Sequence, residues 1–249
     1  MHATHYNTMT KKILFIILLL SPVVLSAQVT YQPSTDPEAF NSSLNLSKMS
    51  FGVRINPSVS WLNITNQDMQ ADGAALKLSL GGVVNYELSN HIALVSGLNY
   101  NYYGGYAYDN RSLNAKDTLS AFKLNFREVE VPLMFKLKTK PVNKLSYYLQ
   151  GGITAGFILG ANEIRTPADK SYQPATTDMS YAIVPTRLNY IIGAGMDHYI
   201  GNKSYLFASV SYKRTINSVT YSTIYSQNRY STPVQIYPAN MEFSIGIMF

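Results

Sequence analysis

Residues 241–249 alternate bulky apolar side chains with small or polar ones, and this period of two continues to Phe249. In an extended strand, side chains two residues apart point to the same side. One face would therefore carry Phe243, Ile245, Ile247 and Phe249. The other face would carry polar or small residues such as Glu242. An apolar face turned to lipid and a polar face turned inward are typical of a strand in a membrane β-barrel.

The same alternation occurs in seven segments upstream of this one, which predicts eight strands in all. These segments are 51–61, 76–88, 92–102, 122–137, 145–160, 188–200 and 205–216. Pro57 lies inside the first segment and predicts a bulge or a local break there, because proline cannot donate a backbone hydrogen bond. An even number of strands is usual in single-chain outer-membrane barrels. The sequence therefore predicts an all-β fold, an eight-stranded antiparallel transmembrane β-barrel.

The connections between these strands alternate in length, which predicts the orientation of the barrel. Tight turns follow strands two, four and six, whereas long segments follow strands one, three, five and seven. The long segments are 62–74, 104–121, 161–187 and 217–239. Membrane barrels have short periplasmic turns and long extracellular loops, so both barrel ends of the chain would be periplasmic. The alternative is a soluble lipocalin-like barrel, in which the two faces of every strand are exchanged.

The N-terminal region has the features of an export signal. Lys11 and Lys12 precede an apolar run and a small-residue exit near Ala27, so residues 1–27 are predicted to be a cleaved signal peptide. A transmembrane anchor is the alternative, but the run is short and Pro22 interrupts it. Residues 28–50 are polar and predict a flexible periplasmic lead-in, and 51–249 would form the barrel domain. The export signal favours the membrane barrel over the soluble one.

Composition excludes several classes of function. The chain has no cysteine, so it can have neither disulfides nor thiolate sites. A formal net charge of +6, scattered through turns and loops, is compatible with contact to anionic lipid headgroups and does not indicate a nucleic-acid-binding protein. The sequence has no phosphate-binding glycine loop and no metal-ligand spacing, so no cofactor or metal is expected.

A family resemblance follows from three parts of the sequence. The strand at 128–136, the glycine-rich strand at 151–156 and the terminal Phe249 resemble the PorT-like outer-membrane β-barrel family of Bacteroidetes. The resemblance implies a location in the bacterial outer membrane and, for some relatives, a role in type IX secretion or gliding. A terminal Phe249 also resembles the sorting signal that the barrel-insertion machinery reads. Partners would then include outer-membrane lipid, this machinery, other envelope proteins and surface glycans.

The inward faces of the predicted strands carry charges of both signs. These residues are Arg54, Lys77, Glu87, Glu128, Glu130, Lys136, Asp197, Lys213 and Glu242. An eight-stranded barrel is barely wide enough for its own side chains, so such charges should pair. Arg54 and Glu242 are candidate partners, because the first and last strands meet when the barrel closes. The charges could form a structural network or a path for protons or ions.

Two further sets of residues could carry a function. Tyrosines in the predicted loops could bind a partner or a glycan, or could line the headgroup region of the membrane; they are Tyr103, Tyr106, Tyr108, Tyr221, Tyr225 and Tyr230. His91 and His198 are the histidines outside the signal region, and Asp197 and His198 would point to opposite faces. No catalytic residues are therefore predicted. The sequence indicates a non-enzymatic scaffold or surface protein, with a small-solute or lipid conduit and a rim hydrolase as alternatives.

Overall fold

The computed structural model describes residues 48–66, 68–109, 121–166, 175–200, 204–221 and 233–249. This part of the chain contains nine strands and one turn of 3₁₀ helix, Ser180–Ala182. The strands are β1 Met49–Thr65, β2 Met69–Glu87, β3 Ile92–Asp109, β4 Ala121–Lys138, β5 Leu145–Thr166, β6 Ala175–Asp178, β7 Thr186–Tyr199, β8 Tyr205–Thr215 and β9 Gln235–Met248. No helix in the described part of the chain is long and apolar enough to cross a membrane.

Eight of the strands close into an antiparallel barrel. Each strand pairs with the next one along the chain, except that β5 pairs with β7, and β1 pairs with β9 to close the ring. The short β6 lies outside this ring and pairs only with the end of β5. The predicted eight-stranded antiparallel barrel is confirmed. We call the end with the turns at 88–91, 139–144 and 200–204 the turn end, and the opposite end the loop end.

The faces of the strands follow the predicted alternation over most of the barrel. Large apolar side chains are exposed on the outside, and on β4 they run without interruption from Val131 to Leu137. The largest exposed fraction in this apolar belt is 84%, at Leu76. Inward positions on the same strands carry buried polar and charged groups such as Glu130 and Lys136. This is the arrangement of a barrel whose surroundings are lipid, and it excludes the soluble lipocalin-like alternative.

Several strands are longer than predicted at the loop end. β1 continues to Thr65 and β2 begins at Met69, so the predicted long loop at 62–74 is a short connection. β3 and β5 likewise extend into the segments 104–121 and 161–187, and β9 extends into 217–239. A strand that spans a membrane needs about 9–11 residues. The extra residues therefore lengthen the barrel beyond the apolar belt.

Of the bulge or local break expected at Pro57, the structure shows the break: the pairing of β1 with β9 is interrupted at Asn56 and Pro57, and no bulge occurs there. The register between β1 and β2 is continuous through Pro57, which lies opposite Leu78. The register between β1 and β9 is also the same on both sides of Pro57. Pro57 is exposed on the outer face, and the bulges lie elsewhere, between Ala71 and Ser79 and beside Glu128.

Candidate functional site

The middle of the lumen contains a buried ion pair between Glu128 of β4 and Arg187 of β7. Arg187 Nε donates to Glu128 Oε2 at 2.6 Å, and Arg187 Nη2 donates to Oε1 at 2.9 Å. The Arg187 guanidinium also lies 3.8 Å from the centre of the Tyr103 ring, and Asn101 Nδ2 donates to Glu128 at 3.2 Å. Both charged side chains are almost completely inaccessible to solvent. A fork of this geometry neutralises each charge and leaves little of the carboxylate free.

Glu130 is the centre of a second, adjoining group. Lys213 Nζ donates to both Glu130 oxygens, at 3.1 and 3.0 Å, and also lies 2.7 Å from Glu242 Oε1. Thr154 Oγ1 donates to Glu130 at 2.9 Å, and Asn189 Nδ2 does so at 3.4 Å. Five barrel strands, β4, β5, β7, β8 and β9, therefore contribute to one cluster around this carboxylate. We call the ion pairs of Glu128, Glu130, Arg187, Lys213 and Glu242 the charge layer.

The predicted pair between Arg54 and Glu242 is wrong. Arg54 Nε and Nη2 donate to Asn99 Oδ1 at 3.1 and 3.0 Å, and Glu242 pairs with Lys213. The barrel register explains this, because Arg54 lies opposite Gly246 while Glu242 lies opposite Ser58.

Lys77 also differs from expectation. It does not join the charge layer, and its Nζ donates to Asn125 Oδ1 at 2.5 Å. Asn125 lies on β4 between the buried residues Leu124 and Phe126, on the other face of the strand from them.

The remaining charges predicted for the lumen lie toward the turn end. Lys136 Nζ and Asp197 Oδ2 are 2.8 Å apart and buried, and the Lys136 ammonium lies 3.8 Å from the centre of the Tyr148 ring. Lys138 Nζ and Glu87 Oε1 are 2.7 Å apart at a more exposed position near the end of the barrel. Every carboxylate predicted for the lumen therefore has a cationic partner in the structure.

The lumen changes character at the loop end, where it is apolar. Phe122, Leu124 and Phe126 occupy inward positions of β4, in phase with Glu128 and Glu130 further along the strand. Described residues of the connections, such as Met179, Ile183 and Val219, also contribute buried side chains here. Leu62, Met69, Tyr103, Ala107, Phe122, Leu124, Phe126, Ala161, Met179, Ala182, Ile183, Val219, Val234 and Ile236 form one buried cluster. We call this cluster the apolar plug.

Together the charge layer and the apolar plug fill the barrel. The described lumen contains a small cavity of about 20 Å³, between Arg54, Lys136 and Tyr148. A cavity of this size holds about one water molecule. Below the charge layer, Val83, Val95, Met134 and Phe207 belong to a second apolar cluster at the turn end. This arrangement is suited to stabilising a rigid barrel wall, because ion pairs and apolar side chains occupy successive levels of the described lumen.

The predicted loop tyrosines have different environments. Tyr103 is wrong as a recognition residue, because its side chain is 2% exposed and stacks on Phe126 with 4.9 Å between ring centres. Tyr106 and Tyr108 lie on β3, where the Tyr106 ring is partly exposed and Tyr108 donates to Gln70 at 2.5 Å. Tyr221 is exposed at the loop end. The other two, Tyr225 and Tyr230, lie outside the described residues.

The histidines are separated and exposed. His91 lies in a turn before β3, and His198 lies on the outer face of β7 while its neighbour Asp197 points inward. The prediction that Asp197 and His198 point to opposite faces is confirmed. Within the described ranges, no group of three or more histidine, aspartate or glutamate side chains could hold a metal ion.

Arg187 is the main residue that the sequence reasoning missed, since it was assigned to a loop. It continues the inward alternation of Asn189 and Asp197 on β7, so the same parity argument identifies it. Glu163 is also buried, near the loop end, and contacts Arg165. Extending the inward face of β7 beyond its predicted start would have found Arg187. Glu163 has the opposite parity to inward residues of β5 such as Thr154, because the irregularity beside Glu128 shifts the alternation, so the period of two could not have found it.

The chain is similar to several solved structures. Neisserial surface protein A has a TM-score of 0.40 and 12% identity, over 80% of this chain and 97% of that one. Ail of Yersinia pestis has a TM-score of 0.39 and 11% identity, over 81% and 99%. OprG of Pseudomonas aeruginosa has a TM-score of 0.40 and 11% identity, over 80% and 95%. No curated protein sequence matches the chain.

The family assignment comes from the sequence itself. Residues 28–221, more than half of the chain, match the family described as outer membrane protein beta-barrel domain. The narrower PorT-like assignment stays a prediction. With its closed antiparallel barrel and its apolar outer belt, the chain is a member of the outer membrane protein beta-barrel domain family, located in the bacterial outer membrane.

Proposed function

We propose that this protein is a non-conducting scaffold of the outer membrane that presents its loop end to partners at the cell surface. The observation that carries the proposal is the filled lumen. Transport of a solute would require separating Glu128 from Arg187 and displacing apolar side chains such as Phe126. Breaking a buried ion pair costs about 3–5 kcal/mol, so a conduit function is disfavoured.

The loop end supports a role in recognition. The strands continue beyond the apolar belt, and the apolar plug gives this extension a core of its own. Such a core supports exposed groups at this end, such as Tyr221. Tyrosine suits a binding surface because it combines contact area with a hydrogen-bonding tip. The partners we propose are other envelope proteins or surface glycans, including an accessory role in type IX secretion or gliding.

Conductance in planar bilayers tests the proposal. We expect the refolded barrel to insert without producing current steps. A positive control is the variant Tyr103→Ala/Phe126→Ala/Arg187→Ala, which removes the side chains at the junction of the plug and the charge layer. Heat-modifiable gel mobility would verify that this variant is folded. Reproducible current steps from the wild-type protein would overturn the scaffold assignment in favour of a conduit.

A second measurement addresses the surface role. A photo-crosslinking amino acid at Tyr221 should yield a discrete crosslinked product on intact cells, whereas one at His91 in the opposite turn should not yield that product. Equal product from both positions would contradict recognition at the loop end.

A further inference from the structure

Basic residues line the outer wall of the barrel where the apolar belt ends. Lys123, Asn125 and Arg127 alternate with the buried residues of β4 and so share its outer face. The next outward residues of this strand, Val129 and Val131, begin the apolar belt. Residues two apart in a strand are separated by about 7 Å. Arg127 therefore lies one such step from the belt, and Lys123 lies further toward the loop end.

Lys77 adds a third positive charge between these two. Its Nζ donates to Asn125 Oδ1 at 2.5 Å, and Asn125 is the residue between Lys123 and Arg127 on the outer face. The β4 positions that carry or contact these cationic groups, Lys123, Asn125 and Arg127, thus follow one another in steps of about 7 Å. A phosphate group placed between two neighbours in such a row can contact both.

These cations have no acidic partner among the residues that the structure describes. Within that part of the chain, neither Lys77 nor Lys123 nor Arg127 takes part in an ion pair. The nearby carboxylate of Glu128 is buried on the other side of the strand, against Arg187. Neighbouring like charges repel each other, and an anion bound between them removes this repulsion.

We call Lys77, Lys123 and Arg127 the basic row. Tyrosine rings and a glycine lie beside two of its members, Lys123 and Arg127. The Lys123 ammonium lies 5.3 Å from the centre of the Tyr106 ring, and Tyr102 lies opposite Arg127 in the β3–β4 register. The Arg127 guanidinium lies over Gly160 of β5, where a methyl group would be 2.8 Å from Arg127 Nη2. Tyrosine rings beside basic residues are typical of the headgroup region of a membrane.

The length of the apolar belt places the row in the membrane. The outward residues of β4 are apolar from Val129 to Leu137, which matches the 9–11 residues that a strand needs to span a bilayer. Arg127 therefore lies at the level of the lipid headgroups at the loop end. We propose that Lys77, Lys123 and Arg127 form a binding site for the phosphate groups of lipids in the outer leaflet.

Native mass spectrometry of the detergent-folded protein with monophosphoryl lipid A tests this site. Each basic residue near a membrane surface contributes about fivefold to the affinity for anionic lipid. The triple variant Lys77→Gln/Lys123→Gln/Arg127→Gln should therefore bind the lipid about 100-fold more weakly. The single variants Lys123→Gln and Arg127→Gln should each lose about fivefold, which keeps the test available if the triple variant folds poorly.

A matched control removes the same charge from the other end of the barrel. Lys48, Lys140 and Lys144 are exposed near the turn end, and the variant Lys48→Gln/Lys140→Gln/Lys144→Gln should bind like wild type. Dephosphorylated lipid A should bind wild type as weakly as phosphorylated lipid A binds the triple variant. The proposal is overturned if the control variant loses as much affinity as the triple variant, or if the triple variant binds normally. If an equal concentration of inorganic phosphate displaced the lipid, the site would be a site for free phosphate, and the proposal of a lipid ligand would be overturned.

Discussion

Arg187 on β7 and Glu128 on β4 form an ion pair across β5, the strand that lies between β4 and β7 in the barrel. β5 contributes Gly156 at this point, which lies opposite Arg187 in the register and directly below the Glu128 carboxylate. The absence of a side chain at Gly156 leaves the space in which the two charged groups meet. The pair therefore connects three strands and depends on one glycine.

Removing one partner of this pair should destabilise the barrel strongly. We expect Glu128→Met or Arg187→Met to lower the free energy of unfolding by about 3–5 kcal/mol, because either change leaves a buried charge without its partner. The double variant should recover part of this loss, since apolar replacement of a whole buried pair is often tolerated. Urea unfolding in lipid vesicles, followed by the fluorescence of the single tryptophan Trp61, measures these values.

The more exposed pair of Lys138 and Glu87 is the control for this cycle. Its disruption by Lys138→Met should cost about 1 kcal/mol or less, because the Glu87 carboxylate that remains is 28% exposed and can be solvated. Equal losses for the two pairs would contradict the buried, structural role of Glu128 and Arg187.

Gly156 should tolerate substitution poorly. A methyl group at this position would overlap the carboxylate of Glu128, which Arg187 holds in place. We expect Gly156→Ala to cost about 1–3 kcal/mol, the usual cost of overpacking. Gly151 on the same strand is the control, because a methyl group there would make only an ordinary contact, 3.6 Å from the Ile191 carbonyl oxygen. A Gly156→Ala variant as stable as Gly151→Ala would show that the carboxylate can move aside freely.

The position of the bilayer can be tested with arginine substitutions on β1. Ile55 and Thr65 are both exposed on the outer face of this strand, but Ile55 lies within the apolar belt and Thr65 lies at the loop end. Arginine costs about 2–4 kcal/mol near the middle of a bilayer and about 0–1 kcal/mol near its surface. Ile55→Arg should therefore be clearly less stable than Thr65→Arg in urea titrations with vesicles. Equal stability of the two variants would refute the assigned position of the belt.

The parts of the fold that lie in the membrane could be predicted from the sequence because lipid imposes one rule on every strand. Outward residues must be apolar there, so the alternation correctly assigned outward Phe135 and inward Lys136 on β4. Beyond the belt the outer face meets water, and the rule reverses. Phe126 and Lys136 share the same inward face, yet one contributes to an apolar plug and the other to an ion pair. The alternation of inward and outward residues therefore continues along the whole strand, but whether the inward residues are polar or apolar changes at the edge of the belt.

The charge pairs could be predicted only in part. Alternation assigns a residue to the lumen, and for this reason Glu130, Lys213 and Glu242 were identified correctly. Partner choice depends on the stagger between strands, which the sequence does not reveal. Tyr103 is a different case, because Tyr102 was already assigned to the outer face and alternation alone points Tyr103 inward.

The orientation of the barrel can be measured without background labelling, because the chain contains no cysteine. Tyr221 is exposed at the loop end, and His91 is exposed in a turn at the opposite end. A PEG-linked maleimide too large for porins should modify Tyr221→Cys on intact cells, since long connections of membrane barrels face the exterior. It should modify His91→Cys only after the outer membrane is permeabilised. The lipid-facing variant Leu133→Cys shows whether the barrel stays embedded in the membrane. Lipid should protect this cysteine from labelling both before and after permeabilisation. Labelling of His91→Cys, but not of Tyr221→Cys, on intact cells would reverse the orientation and would place the proposed lipid site in the periplasmic leaflet.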